Sequence, residues 1–169
     1  GVEAPVTDET LDALNDTLSV YQKRQRAFRF GTDSVLLADF VLAKPGMRAV
    51  ELGSGSGVIS ILMADRTKDL TVDAVEILPE MAEMSTRSVA LCRMEGRVRV
   101  HNLDLREAPG ALGHGRYALA VCNPPYGRAG AGDPGNTPMN SVARHEVVCG
   151  IGEIAQPVLA LSERAPSGG

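Results

Sequence analysis

The sequence predicts an α/β fold built on a doubly wound, mostly parallel sheet. Three observations predict it. From Ala49 onward, short apolar runs alternate with stretches of helical periodicity. A glycine-rich turn joins the first such run to the first such helix, and a pair of prolines halts the fourth run. With 169 residues, 44% hydrophobic and 22% charged, the chain suits one domain, 1–169. An N-terminal cap or helical segment is expected at 1–47 and the α/β core at 48–169.

Taken in order, Thr32 to Ala43 carries Val35, Leu36, Leu37, Phe40 and Val41 and is expected to form a helix packed on the sheet, ended by Lys44-Pro45-Gly46. Arg48 to Leu52 is the first strand of the core. Gly57 to Arg66 follows as a helix, with Val58, Ile61 and Leu62 at helical spacing. Thr71 to Ile77, rich in β-branched residues, is the second strand. Pro79 suits the first turn of the next helix, where its missing N–H costs nothing. That helix is predicted to run to about Met94, with Met81, Met84, Ser88 and Leu91 along one stripe. Arg97 to Leu103 alternates as a third strand, and Tyr117 to Cys122 is the fourth. Gly127 to Asn140 is too long and too rich in Gly and Pro for a simple connector, and suits a substrate lid or a disordered segment. Ile151 to Leu161 suits a further helix, started or kinked by Pro157.

Several function classes recede on composition. No run reaches the ~18 apolar residues of a membrane span, and Gly1 to Thr10 is acidic and lacks the order of a signal peptide. A cytoplasmic location is therefore expected. Cys92, Cys122 and Cys149 are widely spaced and odd in number, and read as reduced thiols with neither a disulfide framework nor a metal site. The net charge of −4 argues against a general nucleic-acid binder. One local exception is Lys23-Arg24-Gln25-Arg26-Ala27-Phe28-Arg29, four positive charges in seven residues around an aromatic. Alone, it reads as a solvated basic turn.

The glycine turn is Glu51-Leu52-Gly53-Ser54-Gly55-Ser56-Gly57. Glycine serves where a backbone turns tightly and a ligand must approach without a Cβ in the way. The spacing G-x-G-x-G departs from the G-x-G-x-x-G of hydride-transfer enzymes, and no P-loop motif is present. Glu51 would repel a pyrophosphate but suits a cationic ligand. S-adenosylmethionine, with a sulfonium, an ammonium and no phosphate, meets that description. Glu76 ends the second strand, where an acidic residue accepts hydrogen bonds from ribose hydroxyls. Asp104, after the third strand, is the candidate partner for the adenine amine of the same cofactor. Gly53, Ser54, Gly55 and Gly57, with Ile77 and Leu105 beside the two acids, complete the expected cofactor site.

Asn123-Pro124-Pro125-Tyr126 is the most specific motif. An adenine amine is a poor nucleophile because its lone pair is delocalised into the ring. Acceptors aimed at its N–H bonds, the Asn123 side-chain oxygen and the Pro124 carbonyl, would shift it toward tetrahedral geometry. The prolines aim those acceptors in advance. Tyr126 offers a face for stacking the base, worth about 1–3 kcal/mol. The motif follows the C-terminal end of the fourth strand, in the crevice where α/β sheets bind ligands. Asn123, Pro124 and Tyr126 are the expected catalytic residues; Asn123 also belongs to the cofactor site, and Pro125 and Tyr126 to the substrate site.

The glycine turn and Asn123-Pro124-Pro125-Tyr126 together resemble the class I amino-methyltransferases, which implies a Rossmann-like methyltransferase fold. The run Phe28-Arg29-Phe30-Gly31-Thr32-Asp33-Ser34-Val35-Leu36-Leu37-Ala38, and Ala143-Arg144-His145-Glu146 after the loop, are similar to the bacterial tRNA adenine-N6 methyltransferases that modify a valine tRNA beside its anticodon. The resemblance implies that Thr32 and Asp33 clamp the methionine end of S-adenosylmethionine. It also implies RNA contacts by the basic segment, with Lys23, Arg24 and Arg26, and by Arg144. The implied reaction is methylation of adenine N6 in RNA, with no metal. The same acceptors would suit a glutamine amide in a protein or the guanine N2 amine, and a catalytically silent cofactor-binding module is a third reading. That family has seven strands, whereas four are legible in this sequence, so a core truncated at the C-terminus, with an open sheet edge at or beside its fourth strand, is expected.

Overall fold

The computed structural model describes residues 4–6, 8–24, 43–122, 147–148 and 160–161. A β-hairpin, β1 (Glu9–Ala13) and β2 (Ser19–Lys23), precedes the core. The core runs β3 (Arg48–Leu52), α1 (Val58–Arg66), β4 (Thr71–Glu76), α2 (Pro79–Leu91), β5 (Val98–Asn102), a 3-10 turn at Leu105–Glu107, α3 (Ala108–Leu112), β6 (Leu119–Cys122) and β7 (Val147–Val148). Its five strands lie in the order β5-β4-β3-β6-β7, all parallel. The chain moves outward from β3 through β4 to β5, then crosses back to lay β6 on the other side of β3. That reversal opens a crevice at the C-terminal ends of β3 and β6, the usual place for a ligand in such sheets.

The expected α/β class and the four core strands match the structure to within two residues. Three differences stand out. The described part of the N-terminal segment is a hairpin, where a cap or helix was expected. The helix expected to reach Met94 stops at Leu91, because Arg93 takes a left-handed conformation (φ 57°) and Met94 N–H turns back to the Val89 carbonyl at 3.0 Å. A fifth strand, β7, pairs with β6 through Ala120↔Val147 and Val121↔Val148, so the count of four parallel strands legible in the sequence is corrected to five. Two residues of strand carry too little alternation to be read as one. Of the helix expected at Thr32–Ala43 only Ala43 falls among the described residues, where it is not helical, and the loop at Gly127–Asn140 lies outside them. So does the helix expected over Ile151–Leu161, except for Ala160 and Leu161, which are helical.

Residues on alternate sides of the strands supply two cores. Ala49, Val72, Val98, Leu119 and Val121 pack beneath α1 and the hairpin residues Leu18 and Val20. Every residue from Val58 to Ala64 is buried, so α1 is covered all round, where one apolar stripe was expected. On the other face, Val50, Leu52, Val75 and Ala120 pack with Tyr117, Ala108 and Leu161. A polar cluster also sits on that face. The Tyr117 hydroxyl donates to Asp73 Oδ2 at 2.6 Å, and His101 Nε2 lies 2.7 Å from Asp73 Oδ1. Burial pushes the Tyr117 phenol up, and the Asp73 carboxylate beside it adds to the shift.

The hairpin is tied to α2 by several contacts. Tyr21 packs on Met81 and Met84, its N–H donates to Ser88 Oγ at 2.8 Å, and the Arg87 guanidinium lies 4.9 Å from its ring centre. Arg87 also pairs with Glu9 at 2.5 Å. Cys92 is a free thiol that donates to the Ser19 carbonyl. Cys122 is disulfide-bonded, which corrects the reading of it as a reduced thiol.

Candidate active site

The turn from β3 to α1 is held in place by β4. Gly53 and Ser54 N–H both donate to the Val75 carbonyl, at 2.9 and 3.0 Å. Gly53, Gly55 and Gly57 have φ of 76°, 57° and 86°, a region that side chains other than glycine enter at a cost. Gly57 is tight as well as left-handed, since a Cβ there would lie 3.2 Å from the Ser85 Cβ.

Glu76, 2% exposed, ends β4 and points at this turn. Its Oε1 accepts from Gly55 N–H at 2.7 Å and its Oε2 from Leu78 N–H at 2.9 Å. Glu51 is fully buried, and its Oε1 accepts from both the N–H and the hydroxyl of Ser60, at 3.2 and 2.6 Å. The hydroxyl of Ser54 is buried and has no hydrogen-bond partner among the described residues. Ile77, next to Glu76, is 58% exposed, an apolar surface at the rim of the same crevice.

Asp104 takes part in local bonding. Its Oδ1 accepts from Arg106 N–H at 2.9 Å, capping the 3-10 turn, and its Oδ2 pairs with the Arg106 guanidinium at 2.7 Å. Arg106 holds its carboxyl down at about 2. Leu105 packs at the edge of the second core. Lys23 is also engaged, with Nζ 3.0 Å from Asp8 and 3.8 Å from Glu9. Arg24 is exposed at the end of the hairpin. Thr32, Asp33, Arg26, Asn123, Pro124, Pro125, Tyr126 and Arg144 lie outside the described residues. Cys122, the residue before Asn123, pairs with Leu52, the residue before Gly53, so β6 ends beside the glycine turn.

The structure thus gathers Glu51, the glycine turn, Glu76, Ile77 and Asp104 at one end of the sheet. Two polar side chains that join them escaped sequence reasoning, Ser60 beneath Glu51 and Gln22 beside Ser56. Neither belongs to a motif, and each meets its partner only once the chain is folded.

The model of the methyltransferase small domain family matches residues 26–136, more than half of the chain. The chain belongs to this family. Membership agrees with the expected fold class and with the expected methyl donor, S-adenosylmethionine. Curated relatives include the tRNA1(Val) (adenine(37)-N6)-methyltransferases of Cronobacter sakazakii and Erwinia tasmaniensis, 34% and 38% identical over 101 residues. Those matches cover 59% of this chain and 41% of each relative, so the chain spans well under half the length of the relatives it matches. Among solved structures, Pyrococcus horikoshii TYW2 in complex with MeSAdo superposes with a TM-score of 0.64 at 18% identity, covering 92% of this chain and 49% of that one. A predicted O-methyltransferase of Agrobacterium tumefaciens gives 0.50 at 28% identity, covering 56% and 49%.

The donor set at the crevice fits the methyl donor. Glu76 is an acceptor suited to a diol, the Ser54 hydroxyl is in want of a partner, and the exposed Ile77 suits the face of a purine.

Proposed function

We propose that this domain methylates the exocyclic N6 amine of adenine in tRNA. The observation that supports it most is the pairing of Leu52 with Cys122, which brings the strand leading into Asn123-Pro124-Pro125-Tyr126 alongside the strand leading into the glycine turn. The names of the curated relatives support the choice of tRNA and of adenine. When bound, S-adenosylmethionine supplies a methyl group on a positively charged sulfur. Glu76 and Ser54 would hold its ribose end, Ile77, Asp104 and Leu105 its adenine, and Thr32 and Asp33 its methionine end.

On the substrate side, the Asn123 side-chain oxygen and the Pro124 carbonyl accept the two N–H bonds of the target amine. This draws the lone pair out of conjugation and directs it at the methyl carbon. Transfer would form the C–N bond as the methyl–sulfur bond breaks, leaving a neutral thioether, and the amine's extra proton would pass to water. Tyr126 would offer a face for stacking the base, Pro125 would belong to the same substrate site, and the basic segment with Arg144 would meet the RNA. A flipped or unpaired adenine is the cheaper target, because a paired one must first leave its stack.

The test is mass spectrometry of nucleosides from unmodified bulk tRNA incubated with the protein and labelled S-adenosylmethionine. N6-methyladenosine is the expected product. Label in a release factor and none in tRNA would replace this substrate with a glutamine amide, a reading that the net charge of −4 favours. Asn123→Ala should lower turnover by about a hundredfold or more while sparing cofactor affinity, since it removes an acceptor that matters most in the transition state. Calorimetry and single-turnover rates check this, and a wild-type rate would remove Asn123 from the mechanism.

A further inference from the structure

Gln22 is a polar side chain with no solvent exposure, on a strand that otherwise presents apolar residues to the core. Val20 and Gln22 are two apart on β2 and so share a face. Val20 packs into the core beneath α1, and Gln22 continues that face as far as the glycine turn. There its Nε2 donates to Ser56 Oγ at 3.2 Å, a bond between buried side chains 34 residues apart. A buried amide is unfavourable unless it is hydrogen-bonded, so an apolar residue would be the easier filler of this position.

We infer that Gln22 is a positioning residue for the cofactor turn, acting through Ser56. The turn is held from one side by β4, through Val75 and Glu76, and its far end, Ser56-Gly57, is held by the hairpin. The hairpin is a firm support. Tyr21, adjacent to Gln22, is fixed to α2 by Ser88, Met81, Met84 and Arg87. A turn fixed at both ends presents its backbone and the Ser54 hydroxyl to a ligand already arranged, so less ordering is needed on binding. The inference rests on the cofactor reading of this crevice and adds to it the hairpin as part of the binding apparatus.

Three variants, Gln22→Leu, Ser56→Ala and the double variant, test it by two measurements. Gln22→Leu keeps the volume and removes the amide. The first measurement is hydrogen exchange of the Gly55, Ser56 and Gly57 amides without ligand, and the second is calorimetric affinity for S-adenosylmethionine. Each single variant should exchange about tenfold faster in the turn and bind about five- to tenfold more weakly, the double variant no worse than either, with kcat nearly unchanged and KM for the cofactor raised. Additive losses in the double variant, or wild-type exchange and affinity in Gln22→Leu, would overturn the inference. Should Gln22→Leu fail to fold, Ser56→Ala interrogates the same bond from the other side, and wild-type exchange there is equally fatal. Absence of cofactor binding by the unaltered protein would count against the proposed function instead, and the exchange rates would still judge the role of Gln22.

Discussion

Glu76 satisfies two backbone N–H groups with one carboxylate, joining the turn after β3 to the start of α2. Glu76→Ala should therefore weaken both folding and ligand binding. A loss of about 1–3 kcal/mol in urea denaturation is expected from two orphaned buried donors, alongside at least an about tenfold weaker affinity for S-adenosylmethionine. A variant that binds normally would make Glu76 a purely structural acid. Gly57→Ala should cost about 1–2 kcal/mol for its left-handed backbone, and more where the Ser85 Cβ at 3.2 Å cannot retreat. At this scale the position of Glu51, the glycines and Glu76 around one turn was legible because it is local: acids on or at the end of strands and glycines at a turn. Gln22 and Ser60 were not, because a bond between residues 34 or 9 positions apart leaves no periodic trace. Asp104 lies between these cases, since the bond to Arg106 two residues on was as local as the role assigned to it.

Between elements, charge is placed to hold joints. Arg97, just ahead of β5, donates to the carbonyls of Ala64, Thr67 and Leu70 and so closes the C-terminal end of α1 with a cation, where the helix dipole favours one. Arg97→Met should lower stability by about 1–3 kcal/mol, because those carbonyls lose a charged donor; an unshifted urea midpoint would contradict this. The Asp73 cluster makes a prediction about pH. Burial alone would raise the Asp73 carboxyl, but hydrogen bonds from His101 and Tyr117 outweigh it and leave it below its usual value. A carboxyl held down in the folded state stabilises at pH values above its unfolded pKa of about 3.9 and loses that contribution as pH falls through the folded value. Asp73→Asn should thus narrow the stability gap between pH 6 and pH 2 in denaturant titrations. An unchanged gap would dismiss the cluster as a source of acid sensitivity. The alternation of β4 and β5 was legible, yet this cluster was not, since it depends on the register Val75↔His101 and on Tyr117 from beyond β5.

For the molecule as a whole, the strand order explains where the site lies. Placing β6 beside β3, and not beside β5, brings the strand that leads into Asn123 alongside the strand that leads into the glycine turn. The doubly wound parallel class followed from alternating strands and helices, whereas the strand order is a finding of the structure. The hairpin and β7 did not follow. β1 and β2 are short and mix charged with polar and apolar residues, and β7 is a two-residue strand, too short to show alternation.

Among the described residues, β5 is the outermost strand on its side, and its unbonded backbone is a ready template for a foreign chain. Arg99, exposed near its middle, stands guard there: a visitor adding itself to the sheet would have to strip water from a guanidinium. Arg99→Val should leave the monomer's melting temperature nearly unchanged and yet shorten its life in concentrated solution, visible as rising light scattering. A variant that stays clear would mean that something other than this arginine keeps neighbours away.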